Sequence, residues 1–291
     1  MVPLHRKIAL ISVPRRQVNI PCPACAILSG VLRDAGLKTT THDLPLDLNH
    51  AGFNTSLVED WATLRKDDIH FVELKKYVEN YIDEILQTQP DLIALSILSF
   101  HSHVIAVFML QYIKAKSNIP TIIGGAGVGV SPSIGKVAIH RTFSNSDNDT
   151  FANYCIENNL TDYFLMGDSE LEFKKFCLGE GSAYVNKNTL VTLEDLNEPA
   201  YPDYSDWKNY KEDFPVSIIG SRGCVRKCTF CDVAKLWPVF RYRTAESIFY
   251  EMLHHKETLG VTDFNFTDSL VNGSHEYKKF IKLLFIYPFP T

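Results

Sequence analysis

Short apolar runs alternate with helix-length amphipathic segments from residue 7 to residue 177. This alternation predicts parallel strands joined by crossover helices, because a strand covered on both faces is apolar throughout. The apolar runs predict five strands, at residues 7–13, 38–42, 91–97, 120–123 and 162–166. Helical periodicity predicts helices at residues 22–35, 67–89, 104–116 and 170–177, with a polar, irregular insertion at 43–66. The expected fold class is α/β, with a doubly wound, Rossmann-like parallel sheet.

A change in composition near residue 194 predicts a domain boundary. The segment that follows has three prolines, many acidic and aromatic residues and no periodicity. We therefore expect an α/β domain at residues 1–194, a linker at 195–213 and a second domain at 214–291. Within the second domain the pattern predicts a strand at 216–219, a helix at 244–259 that ends at Gly260, and a strand at 263–266.

The charge balance and the cysteine count narrow the class of function. The 291 residues include 29 Lys and Arg against 34 Asp and Glu, which disfavours a nucleic-acid partner because phosphate neutralisation needs a basic surface. The apolar runs are too short for a membrane span, and no secretory leader precedes the first strand, so a cytoplasmic protein is expected. Five of the seven cysteines fall in two tight clusters, which indicates metal binding or redox chemistry.

Three cysteines form the most informative motif in the chain. Cys224, Cys228 and Cys231 have CxxxCxxC spacing and must lie on one tightly curled loop. Three thiolates on a four-iron, four-sulfur ([4Fe–4S]) cluster leave one iron free to bind a small molecule. A structural zinc ion is the main alternative, but zinc usually takes four protein ligands and no second cysteine pair follows.

This motif and its flanks resemble the radical S-adenosylmethionine (SAM) superfamily. The segments IIGSRGCVRKCTFCDV and RYRTAESIFYEMLHHKETLGVTDFNFTDSLV are similar to the first strand, helix and second strand of its (β/α) barrel. The resemblance implies a [4Fe–4S] cluster that holds SAM for reductive cleavage to a 5'-deoxyadenosyl radical. It also implies that Phe230 lies near the adenine, that Asp268 helps to hold the SAM amino group, and that Arg243 contributes to the site. The alternatives are a helix N-cap for Asp268 and an ordinary surface charge for Arg243.

The first domain resembles the cobalamin-binding domain that precedes the barrel in part of this superfamily. The resemblance rests on IPCPACAILSGVLRDAGLKTTTHD, DLIALSILSFHSHV, IPTIIGGAGVGVSP and DYFLMGDSELEF, and it implies cobalamin contacts at Ser99, Gly124 and Gly125. The usual D-x-H-x-x-G motif is missing after the first strand, although residues 47–52 echo it elsewhere. Cys22 and Cys25 form a C-x-x-C pair at a helix start, where packing is favoured over a redox role. His101 and His103 either touch a cofactor or only begin a helix.

Only 76 residues follow position 215, whereas a radical SAM core resembles a partial barrel of about six strand–helix units. The sequence therefore predicts an incomplete barrel, either a fragment or a subunit that a second polypeptide completes. A flavodoxin or ferredoxin is the expected reductant. The expected function is radical SAM chemistry for methyl transfer or another radical modification, with activity of this chain alone in doubt. Two alternatives stay open: a non-catalytic module that binds a ligand or partner, and a zinc-stabilised interaction protein.

Overall fold

The computed structural model describes residues 4–14, 20–53, 69–134, 149–207 and 214–288. Its main sheet has five parallel strands in the order β2-β1-β3-β4-β5. This order places a switch point between β1 and β3, where doubly wound sheets open a crevice for ligands. The strands are β1 (Lys7–Ser12), β2 (Lys38–Asp43), β3 (Leu92–Ser96), β4 (Thr121–Gly124) and β5 (Tyr163–Phe164).

Helices cover both faces of this sheet. Successive residues of β1 point to opposite faces, so Ala9 and Ile11 join one apolar core while Ile8 and Leu10 join the other. The doubly wound α/β fold class is thereby confirmed. The helices of this part are α1 (Pro23–Asp34), α2 (Leu44–His50), α3 (Ile69–Gln87), α4 (His103–Lys116), α5 (Phe151–Glu157) and α6 (Glu170–Cys177). Within the described ranges, no helix combines the length and apolar character needed to cross a bilayer.

The expectation of an irregular insertion at 43–66 is wrong at its start, because residues 44–50 form α2. Leu44, Leu46 and Leu48 are buried there, and Pro45 occupies the first turn, where its missing N–H costs nothing. Asp47 accepts a hydrogen bond from the Tyr81 hydroxyl at 2.6 Å. Residues 54–66 of the expected insertion lie outside the described part of the chain.

The segment after residue 194 is packed against the α/β sheet and its first helix. Tyr204 and Trp207 are almost fully buried, and the Trp207 indole donates to Asp43 at 3.1 Å. Arg33 on α1 forms ion pairs with Asp203 and Asp206, both at 2.8 Å. We call residues 199–207 the strap, because these contacts hold it across α1. Residues 208–213 of the expected linker lie outside the described ranges.

The second part of the chain begins as a strand–helix–strand unit. Strand β6 (Val216–Ile218) pairs in parallel with β9 (Phe264–Phe266), and α8 (Ala245–Leu259) crosses between them. The Thr244 side chain caps the start of α8, and Gly260 ends it in a left-handed conformation. Val216 and Ile218 share one apolar core with the α1 face of the sheet. The remaining elements are β7 (Ser221–Arg222), α7 (Val233–Leu236), β8 (Arg241–Tyr242) and α9 (His275–Ile286).

Candidate functional site

The three-cysteine loop, residues 223–240, is closed at its base by the antiparallel pair β7 and β8. Gly223 begins the loop at a φ of 85°, a conformation that favours glycine. A Cβ atom at this position would lie 2.8 Å from the Val239 carbonyl oxygen, which belongs to the returning side of the loop. The two sides therefore approach closely only because residue 223 has no side chain.

The three thiols of this loop are accessible to different extents. Cys224 and Cys231 are half-buried and Cys228 is exposed. The Arg226 N–H donates to the Cys224 sulfur at 3.4 Å, and a turn joins the Cys231 N–H to the Cys228 carbonyl at 3.1 Å. Among the described residues, no three His, Cys, Asp or Glu side chains already converge on one point as metal ligands. The donor set nevertheless suits an iron–sulfur cluster, because all three sulfurs are free thiols on one short loop.

One buried carboxylate, Asp168, anchors this loop to the part of the chain that follows β5 of the main sheet. It accepts hydrogen bonds from Arg222 at 2.8 Å and from the Trp237 indole at 2.9 Å, and it pairs with Arg241. Arg222 precedes the first loop cysteine, whereas Trp237 and Arg241 follow the last one. We call this group of four side chains the Asp168 clasp. Glu170, in the first turn of α6, forms a second ion pair with Arg222.

Charge complementarity keeps the clasp ionised although it is buried. Burial by itself raises the pKa of the Asp168 carboxyl, but the charges of Arg222 and Arg241 outweigh burial and the pKa lies below its ordinary value. Burial likewise opposes the charge on Arg222, and the two carboxylates beside it raise its pKa instead. Breaking one partner of such a buried pair leaves an uncompensated charge, which typically costs about 3–5 kcal/mol.

A second carboxylate, Asp268, lies beyond the carboxyl end of β9 and faces the entry to the loop. It accepts hydrogen bonds from the Gly220 N–H at 3.0 Å and the Ser221 hydroxyl at 2.5 Å. Burial raises the pKa of Asp268 more than these hydrogen bonds lower it. Ion pairs among the described residues do not include Asp268, in contrast to Asp168. The helix-cap alternative is wrong, because the N-cap position of α9 is occupied by Ser274.

Arg243 is buried, so the alternative of an ordinary surface charge is also wrong. Its guanidinium pairs with Glu251 on α8, donates to the Ser247 hydroxyl at 2.7 Å, and contacts the Ile219 carbonyl at 3.3 Å. These bonds tie the start of α8 to the end of β6. The same residue also borders a small cavity that contains Asp268.

A cavity of about 420 Å³ lies between the carboxyl edge of the five-stranded sheet and the β6–β9 pair. Its lining is mainly apolar, as in most small-molecule sites. Gly124, the last residue of β4, and Gly125 belong to this lining. Gly125 has a φ of 99° and approaches the Ile97 carbonyl so closely that a Cβ would lie 2.6 Å away. One oxygen of Glu170 and the Ser217 hydroxyl, both on lining residues, have no hydrogen-bond partner in the described part of the chain.

The other residues chosen from the sequence differ in their position relative to the cavity. Ser99 is outside the cavity lining and caps a short turn by accepting from the His101 N–H at 3.3 Å. His103 is buried against the Gly127 carbonyl at 2.8 Å, and burial lowers its pKa to about 4. Phe230 is 88% exposed, at the tip of the cysteine loop. Cys22 and Cys25 are buried at the start of α1, and Cys25 also lines the cavity.

Comparison with known proteins gives similarity at the level of fold. No protein-family model matches, and no curated protein matches. Two solved structures of TsrM from Kitasatospora setae, described as a radical S-adenosylmethionine methyltransferase, do match. The chain shares its fold with TsrM. The structure with tryptophan substrate and the SAM analogue aza-SAM superposes with a TM-score of 0.59, at 16% identity over 96% of this chain and 51% of TsrM. The structure with cobalamin and a [4Fe–4S] cluster gives a TM-score of 0.60, at 16% identity over 97% and 51%.

This chain thus spans about half the length of TsrM. The Asp168 clasp is not predictable from the sequence, although Asp168 belongs to the segment DYFLMGDSELEF, which carries part of the resemblance. An acidic residue directly after a strand and a glycine was the available signal. Its partners Arg222, Trp237 and Arg241 had no signal of their own, since they lie 54–73 residues away along the chain.

Proposed function

We propose that this chain binds a [4Fe–4S] cluster through Cys224, Cys228 and Cys231 and holds SAM beside it for radical chemistry of the methyl-transfer kind. One observation carries the proposal: the CxxxCxxC loop follows the first strand of a strand–helix–strand unit, in a chain whose fold matches a radical SAM methyltransferase. When bound and reduced, the cluster supplies the electron that cleaves SAM. The electron itself would come from a flavodoxin or ferredoxin.

Asp268 is the residue that we assign to the cationic amino group of SAM. Its carboxylate is half-buried, close to the loop entry, and unpaired with any cation among the described residues. A half-buried carboxylate without a counter-ion is stabilised by a ligand that brings the missing positive charge. Arg243 would act indirectly, by fixing the end of β6 through its bond to the Ile219 carbonyl.

The decisive experiment is anaerobic reconstitution of the chain with iron and sulfide. We expect about four irons per chain, a reducible cluster signal by electron paramagnetic resonance, and 5'-deoxyadenosine after addition of SAM and a strong reductant. Replacing all three loop cysteines by Ala is the control and should abolish iron binding. Iron binding without any SAM binding would contradict the proposal, and one zinc per chain without iron would favour the zinc-stabilised alternative.

We propose that the cavity receives one part of a cobalamin, because the cavity lies at the carboxyl edge where Gly124 and Gly125 leave β4 and its volume of about 420 Å³ is smaller than the whole cofactor. The lining among the described residues contains no histidine, so cobalt would lack a histidine ligand from this chain. We expect hydroxocobalamin to co-elute with the protein. Gly124→Val is a suitable test variant, since a Cβ there makes only ordinary contact, 3.5 Å from the Leu165 carbonyl oxygen, and the added side chain narrows the cavity that Gly124 lines. Equal binding by G124V would exclude this cavity.

A non-catalytic ligand-binding module is the second candidate. The cavity favours it because none of its lining residues is a loop cysteine, so ligand binding does not require a cluster. Hydroxocobalamin binding that survives in the triple Ala variant, together with failure of wild-type protein to take up iron, would establish this candidate over the first.

A further inference from the structure

The residues of the Asp168 clasp lie on both sides of the three loop cysteines. Arg222 lies two positions before Cys224, and Trp237 and Arg241 lie beyond Cys231. All three donate to Asp168, whose side chain is 2% exposed. A single carboxylate that follows β5 therefore accepts hydrogen bonds from residues on both sides of the three cysteines, which belong to the second part of the chain.

Asp168 is itself held firmly in place. The backbone N–H of Leu193 donates to it at 3.2 Å, and its own N–H donates to the Val191 carbonyl at 2.9 Å. The two arginines, Arg222 and Arg241, balance the negative charges of Asp168 and Glu170, so these four side chains carry no net charge. Their hydrogen bonds are directional and charge-assisted. Such a network restricts the loop more than exposed ion pairs would.

We propose that Asp168 is a positioning residue that presets the cysteine loop for cluster binding. The proposal deepens the proposed function, because it assigns to the α/β domain the ordering of the loop on which that function rests. Asp168 also lines the cavity, but in this role it contacts none of the three thiols. It acts through Arg222 and Arg241, which flank the loop where the chain enters and leaves it, and through Trp237 near the end of the loop.

Hydrogen–deuterium exchange on the protein without iron tests the positioning role directly. We expect Asp168→Asn to accelerate exchange in residues 221–242 at least about tenfold, since a hydrogen bond to a charged group is worth that much or more. The matched control is Asp34→Asn, which makes the same change at an exposed position of α1. Trp237→Phe is the milder variant, because it removes one donor and leaves both ion pairs intact, and it should accelerate the same residues to a smaller degree.

Unchanged exchange at 221–242 in both D168N and W237F would overturn the proposal. W237F keeps both ion pairs and so separates a local effect from the global loss of stability expected for D168N. Exchange that rises in W237F equally throughout the chain would overturn the proposal too. Iron content after reconstitution is the second measurement, and we expect it to fall in the order wild type, W237F, D168N. If wild-type protein takes up no iron while D168N still loosens the loop, the proposed cluster function fails and the positioning role stands.

Discussion

At the scale of single residues, two aspartates beside the cysteine loop differ in what surrounds them. Asp168 faces two arginines and an indole N–H, whereas Asp268 faces one backbone N–H and one hydroxyl. Their pKa values move in opposite directions for this reason, down for Asp168 and up for Asp268. The first is a structural anchor with its charge compensated. The second has a charge that the fold does not compensate, which is the expected condition of a ligand-binding group.

Asp268→Asn should therefore raise the thermal midpoint at neutral pH while it weakens SAM binding. The raised pKa means that the folded state opposes ionisation of Asp268, so this carboxylate destabilises the fold once the pH exceeds its folded pKa. The gain should disappear below pH 3.8, the ordinary value, where the wild-type carboxyl is protonated in both states. Thermal unfolding at several pH values checks this, and a lower midpoint for D268N at pH 7 would contradict it.

Asp168→Asn should show the opposite dependence on pH. Because its pKa is lowered in the fold, the ionised Asp168 stabilises the protein at any pH above 3.8, and this contribution is lost as the pH falls through the lower, folded pKa. The variant should thus be less stable than wild type by about 3–5 kcal/mol at neutral pH, with a smaller difference in acid. Urea unfolding at pH 7 and near pH 3 measures both values.

At the scale of elements, the closure of the cysteine loop depends on a glycine that the sequence motif includes without explaining. Gly223 has a positive φ and also leaves no room for a side chain, whereas Gly260 has a positive φ with no atom within 4 Å of a Cβ. The two positions separate backbone strain from a steric clash. A side chain would strain the backbone at both positions, but it would clash with neighbouring atoms only at residue 223.

Gly223→Ala should accordingly lower both stability and iron loading, while Gly260→Ala lowers stability alone. The left-handed conformation costs a non-glycine residue about 1 kcal/mol or more, which both variants incur. Only at residue 223 would the added methyl group also clash with a neighbouring atom, the Val239 carbonyl oxygen, so that the two sides of the loop must move apart. Iron per chain after reconstitution distinguishes the two, and equal iron in both variants would remove the role of Gly223 in loop closure.

The sequence predicts those elements whose signals lie within a short stretch of the chain. The apolar runs of β1 and β3 and the capped helix α8 could be predicted because their signals lie within each element. The helix α2 was missed since seven residues with a proline give too short a pattern. The three cysteines were identified by spacing, but the clasp was not, because its ion pairs join residues more than 50 positions apart. Ser99 was chosen by resemblance, and its distance from the cavity depends on the path of the chain after β3.

At the scale of the whole molecule, the strap and a shared apolar core join the two parts of the chain. Trp207 is 1% exposed and belongs to the core that contains both Ile8 of the large sheet and Val216 of the small one. The carbonyl of Tyr201 lies so close to α1 that a Cβ at Gly30 would be 2.0 Å from it. These contacts indicate that the two parts unfold together.

Trp207→Ala should lower the free energy of unfolding by about 3–5 kcal/mol, since it removes a large buried side chain and leaves a cavity. Trp207→Phe should cost less, because the ring volume is partly kept and only the bond to Asp43 is lost. Calorimetry measures both, and we expect a single transition in wild-type protein. Two resolved transitions in the wild type would contradict the shared core.

The shared core also limits how the chain can be divided. A cut near residue 194 would separate Asp168 from Arg222 and Arg241, and would expose the face of α1 that now lies under the strap. Each half would then carry buried charges without counter-ions and an uncovered apolar surface, a combination that favours aggregation. Laboratory fusions or domain exchanges with related proteins should therefore keep residues 168 to 241 as one block, with its acidic and basic partners from the same parent.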